Sequence, residues 1–302
     1  MSERRTDLAL EARESFPRGH VEVEGVILEK QRCLDGQAEV TTVKICDDAG
    51  SRAMKKPKGT YVTIESELLL DEEADREPLL LCICDQLEKM IRNMKQKSVL
   101  IVGLGNREVT SDSIGPKMTE HLFITRHFKQ EFGNEFMKKN QYGCVSAIAP
   151  GVMGQTGMET SEILENIVRG TKPDLVIVVD ALASRSVKRL CTTVQITDTG
   201  IAPGSGVGNR RKELSRATLG IPVIAIGVPT VVDAETIIGD HLENVLGKQG
   251  YSENEIEQFL AEVLTRETDN IMVTPKNIDE SVNRISRDLA DVLNHCFQKK
   301  GY

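Results

Sequence analysis

Tryptophan is absent from the 302 residues, and aromatic side chains make up only 4% of them. The core must therefore be built from aliphatic side chains. A basic excess is missing too: 38 Lys and Arg face 46 Asp and Glu, for a net charge of −8. That balance excludes direct nucleic-acid binding or an anionic membrane surface held by bulk charge. No apolar run approaches the roughly 18 residues that span a bilayer. The N-terminal stretch MSERRTDLALEARESF is charged and lacks a signal-peptide hydrophobic segment, so a cytoplasmic protein is expected. The seven cysteines are odd in number and scattered, which predicts reduced thiols. Cys82 and Cys84 lack a second pair at zinc-ribbon spacing, so no metal is expected there. There is no Walker pattern and no G-x-S-x-G elbow, and the five histidines (20, 121, 127, 241, 295) do not cluster.

What is present is an alternation of buried strands and helices. The first 20 residues are polar, with no periodicity strong enough for a packed element. Val21–Leu28, Glu39–Asp47 and Thr60–Leu68 alternate apolar and polar residues and read as a small β-rich region, about 21–70. Glu72–Met94 has helical spacing and leads into Val99-Leu100-Ile101-Val102, a fully buried strand. Further strands are expected at Cys144–Ala149, Leu175–Val179, Val194–Thr197 and Val223–Val228. Helices are expected at Lys117–Phe136, Glu159–Val168, Ala234–Leu246, Glu253–Arg266 and Pro275–Phe297. This pattern predicts an α/β fold with a doubly wound, mainly parallel sheet.

In such sheets chemistry collects outside the carboxyl ends of strands. Asp112 follows the first buried strand, Asp180 ends another, and Asp233 follows a third. Two carboxylates at one sheet edge cannot both ionise cheaply, so they share a proton and can serve as general base and general acid. The plain alternative is that each Asp caps the next helix. Thr110 and Ser111 stand where they can orient Asp112, and Arg185 where it can pair with Asp180 or with an acidic substrate side chain. Ala149–Thr160 follows a strand and opens a helix. Its Gly151, Gln155 and Thr156 make it a candidate for binding substrate backbone. GLGN lacks the third glycine of a dinucleotide fingerprint, with Glu108 in its place. GIAPGSGVG (200–208), followed by Arg210, Arg211 and Lys212, can cradle an anion or form a loop over a cleft.

The segments RTDLALEA, VGLGNREVTSDSIGP, APGVMGQTGMET, VVDALASRS, DTGIAPGSGVGN, IGVPTVVDAETI and VTPKNID closely resemble, in that order, the germination protease family of spore-forming bacteria. The resemblance covers nearly the whole chain. It implies a fold similar to that of the hydrogenase maturation endopeptidases. It also implies a cofactor-free endopeptidase that degrades small acid-soluble spore proteins in the forespore and spore core. Such an enzyme is made as a zymogen, forms a homotetramer and removes its own propeptide. The family's two essential aspartates correspond to Asp112 and Asp180, with base and acid left unassigned. Family substrates carry an acidic residue before the cut, then an apolar residue, Ala, a variable or hydroxyl residue, and Glu. Thr6-Asp7-Leu8-Ala9-Leu10-Glu11 follows that order, which implies self-cleavage between Asp7 and Leu8. Residues 1–7 would then be the propeptide and 8–302 a single α/β peptidase domain. Two other readings stay open. One is a metal-assisted peptidase of hydrogenase-maturation type with the carboxylates as ligands. The other is a non-catalytic nucleotide or anion binder built on the glycine loops.

Overall fold

Four aliphatic runs lie side by side and parallel at the centre of the computed structural model. It describes residues 6–14, 16, 23–205, 211–252, 255, 256, 258–260 and 271–298. The runs are β4 (Ser98–Gly103), β5 (Cys144–Ile148), β6 (Leu175–Ser184) and β8 (Val223–Asp233), in the order β5-β4-β6-β8. Strands buried on both faces need no alternation of polarity, which is why these segments are almost wholly apolar. The β-rich region continues the same sheet through antiparallel neighbours: β1 (Val26–Cys33), β2 (Ala38–Ile45), β3 (Gly59–Glu65) and β7 (Thr193–Thr197), which joins β8. A short β9 (Met272–Val273) pairs with the far end of β8.

Helices cover both faces. On one, α3 (Glu77–Met90), α4 (Ile114–Thr119) and α10 (Ile278–Phe297) bury Leu79, Ile83, Leu87, Met118, Ile285 and Leu289 against Ile101, Ile177 and Ile226. On the other, α7 (Thr160–Thr171) and the short α8 (Arg216–Leu219) bury Leu164, Val168 and Leu219 against Leu100, Val176 and Val178. Farther along that same face, a separate cluster joins Val43, Ile45 and Tyr61 of the sheet to Met54 of α2 (Asp48–Met54) and Ala9 of α1 (Ala9–Glu14). Two apolar patches on one face leave a trough between them, and the site lies there. No helix among the described residues is long and apolar enough to cross a membrane.

Several expectations are corrected. The N-terminal segment packs: Leu8, Ala9 and Leu10 are buried and α1 begins at Ala9. Three apolar residues bounded by charges give too short a period to register in sequence. The helix expected over Lys117–Phe136 is two, α4 and α5 (Arg126–Asn140). Between them Thr125 binds β5, its N–H donating to the Val145 carbonyl and its hydroxyl to the Gly143 carbonyl. Both β6 and β8 run about five residues past their expected ends, so Asp180 lies within a strand. The helix expected over Glu253–Arg266 falls largely outside the described residues. Cys84 and Cys296, 212 positions apart with Cα atoms 6.1 Å apart, are joined as a disulfide between α3 and α10. That pair was not readable from cysteine spacing, because helix packing brings it together.

Candidate active site

After β4 the chain turns through Gly103 and Gly105 into the 3-10 turn Thr110–Asp112. Gly105 has φ +112°, and a Cβ there would lie 1.9 Å from the Asp112 carbonyl oxygen. Only glycine lets the turn fold back this tightly. The Asn106 N–H then donates to Asp112 Oδ2 at 2.7 Å. Burial pushes the Asp112 carboxyl above its ordinary range, and the Asn106 N–H partly counters this. The residues between are anchored elsewhere. The Thr110 hydroxyl donates to Asp279 Oδ1 of α10 at 2.8 Å, so it does not orient Asp112 as expected. Ser111 contributes its carbonyl, which accepts from the Thr230 hydroxyl at 2.6 Å.

Asp180 is 5% exposed and stands on the trough-side face of β6 with Val176 and Val178. An Asp inside an apolar strand is forced into a poorly hydrated place, where its charged form is disfavoured. Its pKa is raised well above the ordinary carboxylate value by burial, then by the neighbouring charges of Asp112 and Asp7. The Ala181 N–H, donating at 2.9 Å, is the counterweight among the described residues. Asp180 faces Gly227 across the β6–β8 register, and Gly227 faces Gln195 across β8–β7. Direct partners project to the same face. A carboxyl and an amide thus flank a glycine, with Leu182 folded over the glycine so closely that a Cβ there would lie 2.3 Å from its Cδ1.

The N-terminal segment crosses this trough. The Asp7 N–H donates to the Ala183 carbonyl at 3.0 Å, and the Ala183 N–H donates to Asp7 Oδ2 at 2.9 Å. This stretch of β6 extends beyond the last register partner of β4. The Ser205 hydroxyl donates to Asp7 Oδ1 at 2.7 Å. The Asp7 carbonyl accepts from Lys56 Nζ at 2.9 Å and Gln195 Nε2 at 3.3 Å, while the Ala9 N–H donates to Gln195 Oε1 at 2.7 Å. Downstream, buried Glu11 clamps the end of β6, accepting from the Arg185 and Ser186 N–H groups at 2.6 and 3.0 Å. It also pairs with Arg189 at 3.1 Å. A cavity of about 890 Å³ runs alongside, lined among others by Asp7, Lys56, Leu182, Gln195 and Gly227.

The remaining candidates are dispersed. Arg185 pairs with Asp240, Nη2 to Oδ1 at 2.9 Å, and not with Asp180, the first of its two expected partners; β6 overruns Asp180 and carries Arg185 on to helix α9 (Ala234–Lys248). Asp233 caps that helix, accepting from the Glu235 N–H. Gln155 reaches the site indirectly: its Nε2 donates at 2.9 Å to Asn106 Oδ1, behind the amide that holds Asp112. Gly151 provides a left-handed turn at φ +75°, and the Thr156 hydroxyl bonds within its own loop to the Val152 and Met158 carbonyls. Of the glycine loop 200–208, residues 206–208 lie outside the described set, as does Arg210; Lys212 is engaged with Glu165 at 2.7 Å. Among the described residues no three His, Cys, Asp or Glu side chains converge as metal ligands would. Sequence reasoning missed Lys56 and Gln195, and reached Ser205 only as one residue of the 200–208 loop. Only the fold brings them to Asp7, and each is an ordinary residue in its own segment.

Asp112 is near enough for its charge to raise the Asp180 pKa, and comparison with known proteins decides the family. The family model for germination protease matches residues 4–257. The chain belongs to the germination protease family. A germination protease of Caldanaerobacter subterraneus is 42% identical over 314 residues, covering 97% of this chain and 94% of the relative. Those of Clostridium perfringens and Bacillus subtilis are 40% and 38% identical, covering 97% and 98% of this chain and 95% and 94% of their own lengths. Membership makes this chain a peptidase. Among solved structures, a NiFe hydrogenase maturation protease from Thermococcus kodakarensis aligns with 69% of this chain and 98% of its own, at 16% identity and a TM-score of 0.33. A likeness that loose says nothing about the site.

Proposed function

We propose that this germination protease is a self-processing zymogen, residues 1–7 being the leader and the rest the peptidase body. It would hydrolyse peptide bonds with Asp112 and Asp180 and act on small acid-soluble spore proteins. The observation that carries this reading is the company Asp180 keeps. A nearly inaccessible carboxyl with two carboxylates as neighbours holds a proton where ordinary aspartates have lost theirs. Asp180 is therefore the acid. Asp112, braced in its charged form by the Asn106 N–H, is the base.

The chemistry balances on that assignment. Asp112 takes a proton from water as its oxygen attacks the carbonyl carbon before the cut. Asp180 gives its proton to the departing amide nitrogen as the C–N bond breaks. The dyad is left with its proton on Asp112 and resets by proton exchange. The first bond cut is Asp7–Leu8, for which the support is that Asp7 already lies in the trough with its charge felt by Asp180. Leader and spore-protein substrates would share the acidic residue before the cut, and the homotetramer implied by the family resemblance is retained. The test is intact-mass analysis of the full chain incubated at about pH 6, near the raised pKa values of catalytic carboxylates. Wild type should lose residues 1–7, while Asp112→Asn and Asp180→Asn should stay whole. A proton-transfer group contributes typically 10²–10⁴-fold. Asp233→Asn, which keeps a capping side chain, should process normally. Truncation of either dyad variant at the wild-type rate would sink the mechanism.

A further inference from the structure

The mechanism above leaves one requirement unmet: negative charge develops on the carbonyl oxygen when water attacks, and the Asp180 proton is committed to the leaving nitrogen. We infer that Lys56 and Gln195 form the site that binds this oxygen, an ammonium and an amide converging on the carbonyl of the residue before the cut. The inference rests on the reading of Asp7–Leu8 as the bond broken.

Three observations support it. First, both groups already touch the Asp7 carbonyl, Lys56 Nζ at 2.9 Å and Gln195 Nε2 at 3.3 Å. Donors for a developing oxyanion belong at about 2.7–3.1 Å from where it will lie, and the longer contact has room to shorten as the carbon becomes tetrahedral. Second, Gln195 is buried in mid-sheet, and among the described residues both its side-chain hydrogen bonds go to this peptide, to the Asp7 carbonyl and the Ala9 N–H. A buried amide is costly without partners. With the leader gone, Gln195 keeps the Ala9 N–H and loses the Asp7 carbonyl, so its Nε2 donor is free for the carbonyl of the next chain to enter. Third, Lys56 is built into place. Lys55 ends α2 in the left-handed conformation, the Lys56 N–H donates to the Ser51 carbonyl at 3.3 Å, and the Ser51 hydroxyl donates to the Lys56 carbonyl at 2.7 Å. Burial draws the Lys56 pKa down, and the Asp7 and Glu11 carboxylates pull it back up. The ammonium thus has reason to be where acidic substrate meets it.

In the reaction, the C=O electron pair moves onto oxygen between Lys56 and Gln195 as the water oxygen bonds to carbon. It returns when the C–N bond to Leu8 breaks. Gln195→Glu keeps an acceptor for the Ala9 N–H while changing the donor, and because a carboxyl also brings charge, or an O–H when protonated, the neutral Gln195→Met is measured beside it. In the full chain, processing of Gln195→Glu, Gln195→Met and Lys56→Met should each slow about 10²–10³-fold, the loss seen for one such donor. Lys56→Arg should recover part of it. For a peptide containing Thr-Asp-Leu-Ala-Leu-Glu, added after processing, the loss should fall on kcat with KM within a few-fold. Melting temperatures will show that the variants fold. If wild type cuts at Asp7–Leu8 and folded Gln195→Glu and Gln195→Met both match its rate, the oxygen site is wrong and the two-aspartate reading stands. The same holds if the loss lies in KM alone. If wild type cuts elsewhere, or Asp112→Asn still cuts, the reading beneath it fails first.

Discussion

Gly105 offers a demanding test of the site, because it touches no substrate. A methyl group there would stand 1.9 Å from the Asp112 carbonyl oxygen and 3.0 Å from its Oδ1. Comfortable separation between non-bonded heavy atoms is about 3.5 Å, so Gly105→Ala must push the Asp112 backbone away by roughly 1.5 Å. The φ of +112° is also foreign to alanine, and strain of this kind costs on the order of 1–3 kcal/mol. A misplacement of about 1 Å in a catalytic group lowers rate about 10²-fold. Gly105→Ala should therefore remain folded, melt several degrees lower, and process its leader at least about 10²-fold more slowly. The assay is a time course of intact mass beside a circular-dichroism melt. Gly133, at φ +78° with open space around it, is the control: Gly133→Ala carries the backbone strain without touching the site. A folded Gly105→Ala chain that processes within about three-fold of wild type would refute the placement of Asp112 as a working group.

Asp180→Asn should abolish processing and yet melt at or above wild type at pH 8. A folded-state pKa raised above the unfolded value gives stability that is full below the ordinary carboxylate pKa and is lost as pH rises through the raised one, at about 1.4 kcal/mol per unit of separation. A lower melting temperature at pH 8 would contradict the buried, strained carboxyl. The processing rate against pH should be bell-shaped, failing on the acid side as Asp112 protonates and on the alkaline side as Asp180 ionises. Both limbs should lie above those of ordinary carboxylates, and they report the pair as a unit. Prolonged EDTA treatment should leave the rate unchanged. Loss of activity with recovery on adding zinc, nickel or manganese would favour the metal-assisted reading.

The parallel strands were legible because burial on both faces leaves uninterrupted Val, Ile and Leu, as in Leu175–Val179. The turn carrying Asp112 was legible because its glycines have no substitute. Chain ends of elements were less so: β6 passes Asp180 and continues to Ser184, since Ala and Leu serve a strand or a helix equally well. Arg185 illustrates the cost, because a strand five residues longer carries its guanidinium to Asp240. Lys56 and Gln195 were invisible for another reason. Their segments are far apart in sequence, and β3–β7 pairing and the α2 cap are needed to bring both under Asp7. Thr110, beside Asp112 in sequence, is turned away by Asp279, which lies 169 positions downstream. Adjacency along the chain gave the wrong partner, and distance concealed the right ones.

The burial of Leu8 and Leu10 and the clamp at Glu11 have a consequence for the processing proposed above. These residues lie after the proposed cut, so the new N-terminus would be tethered at the wall of the trough while Asp7 departs. An α-amino group, with an ordinary pKa of about 7.7–8, takes the place of a peptide nitrogen. The vicinity of Asp180 loses one negative charge and gains one positive charge. Both changes favour an ionised Asp180, so its pKa falls. The first cut thus offsets the negative field that Asp112 and Asp7 together impose on Asp180, and the mature protease should work best at lower pH than the step that creates it. Acetylating that terminus would return part of the difference.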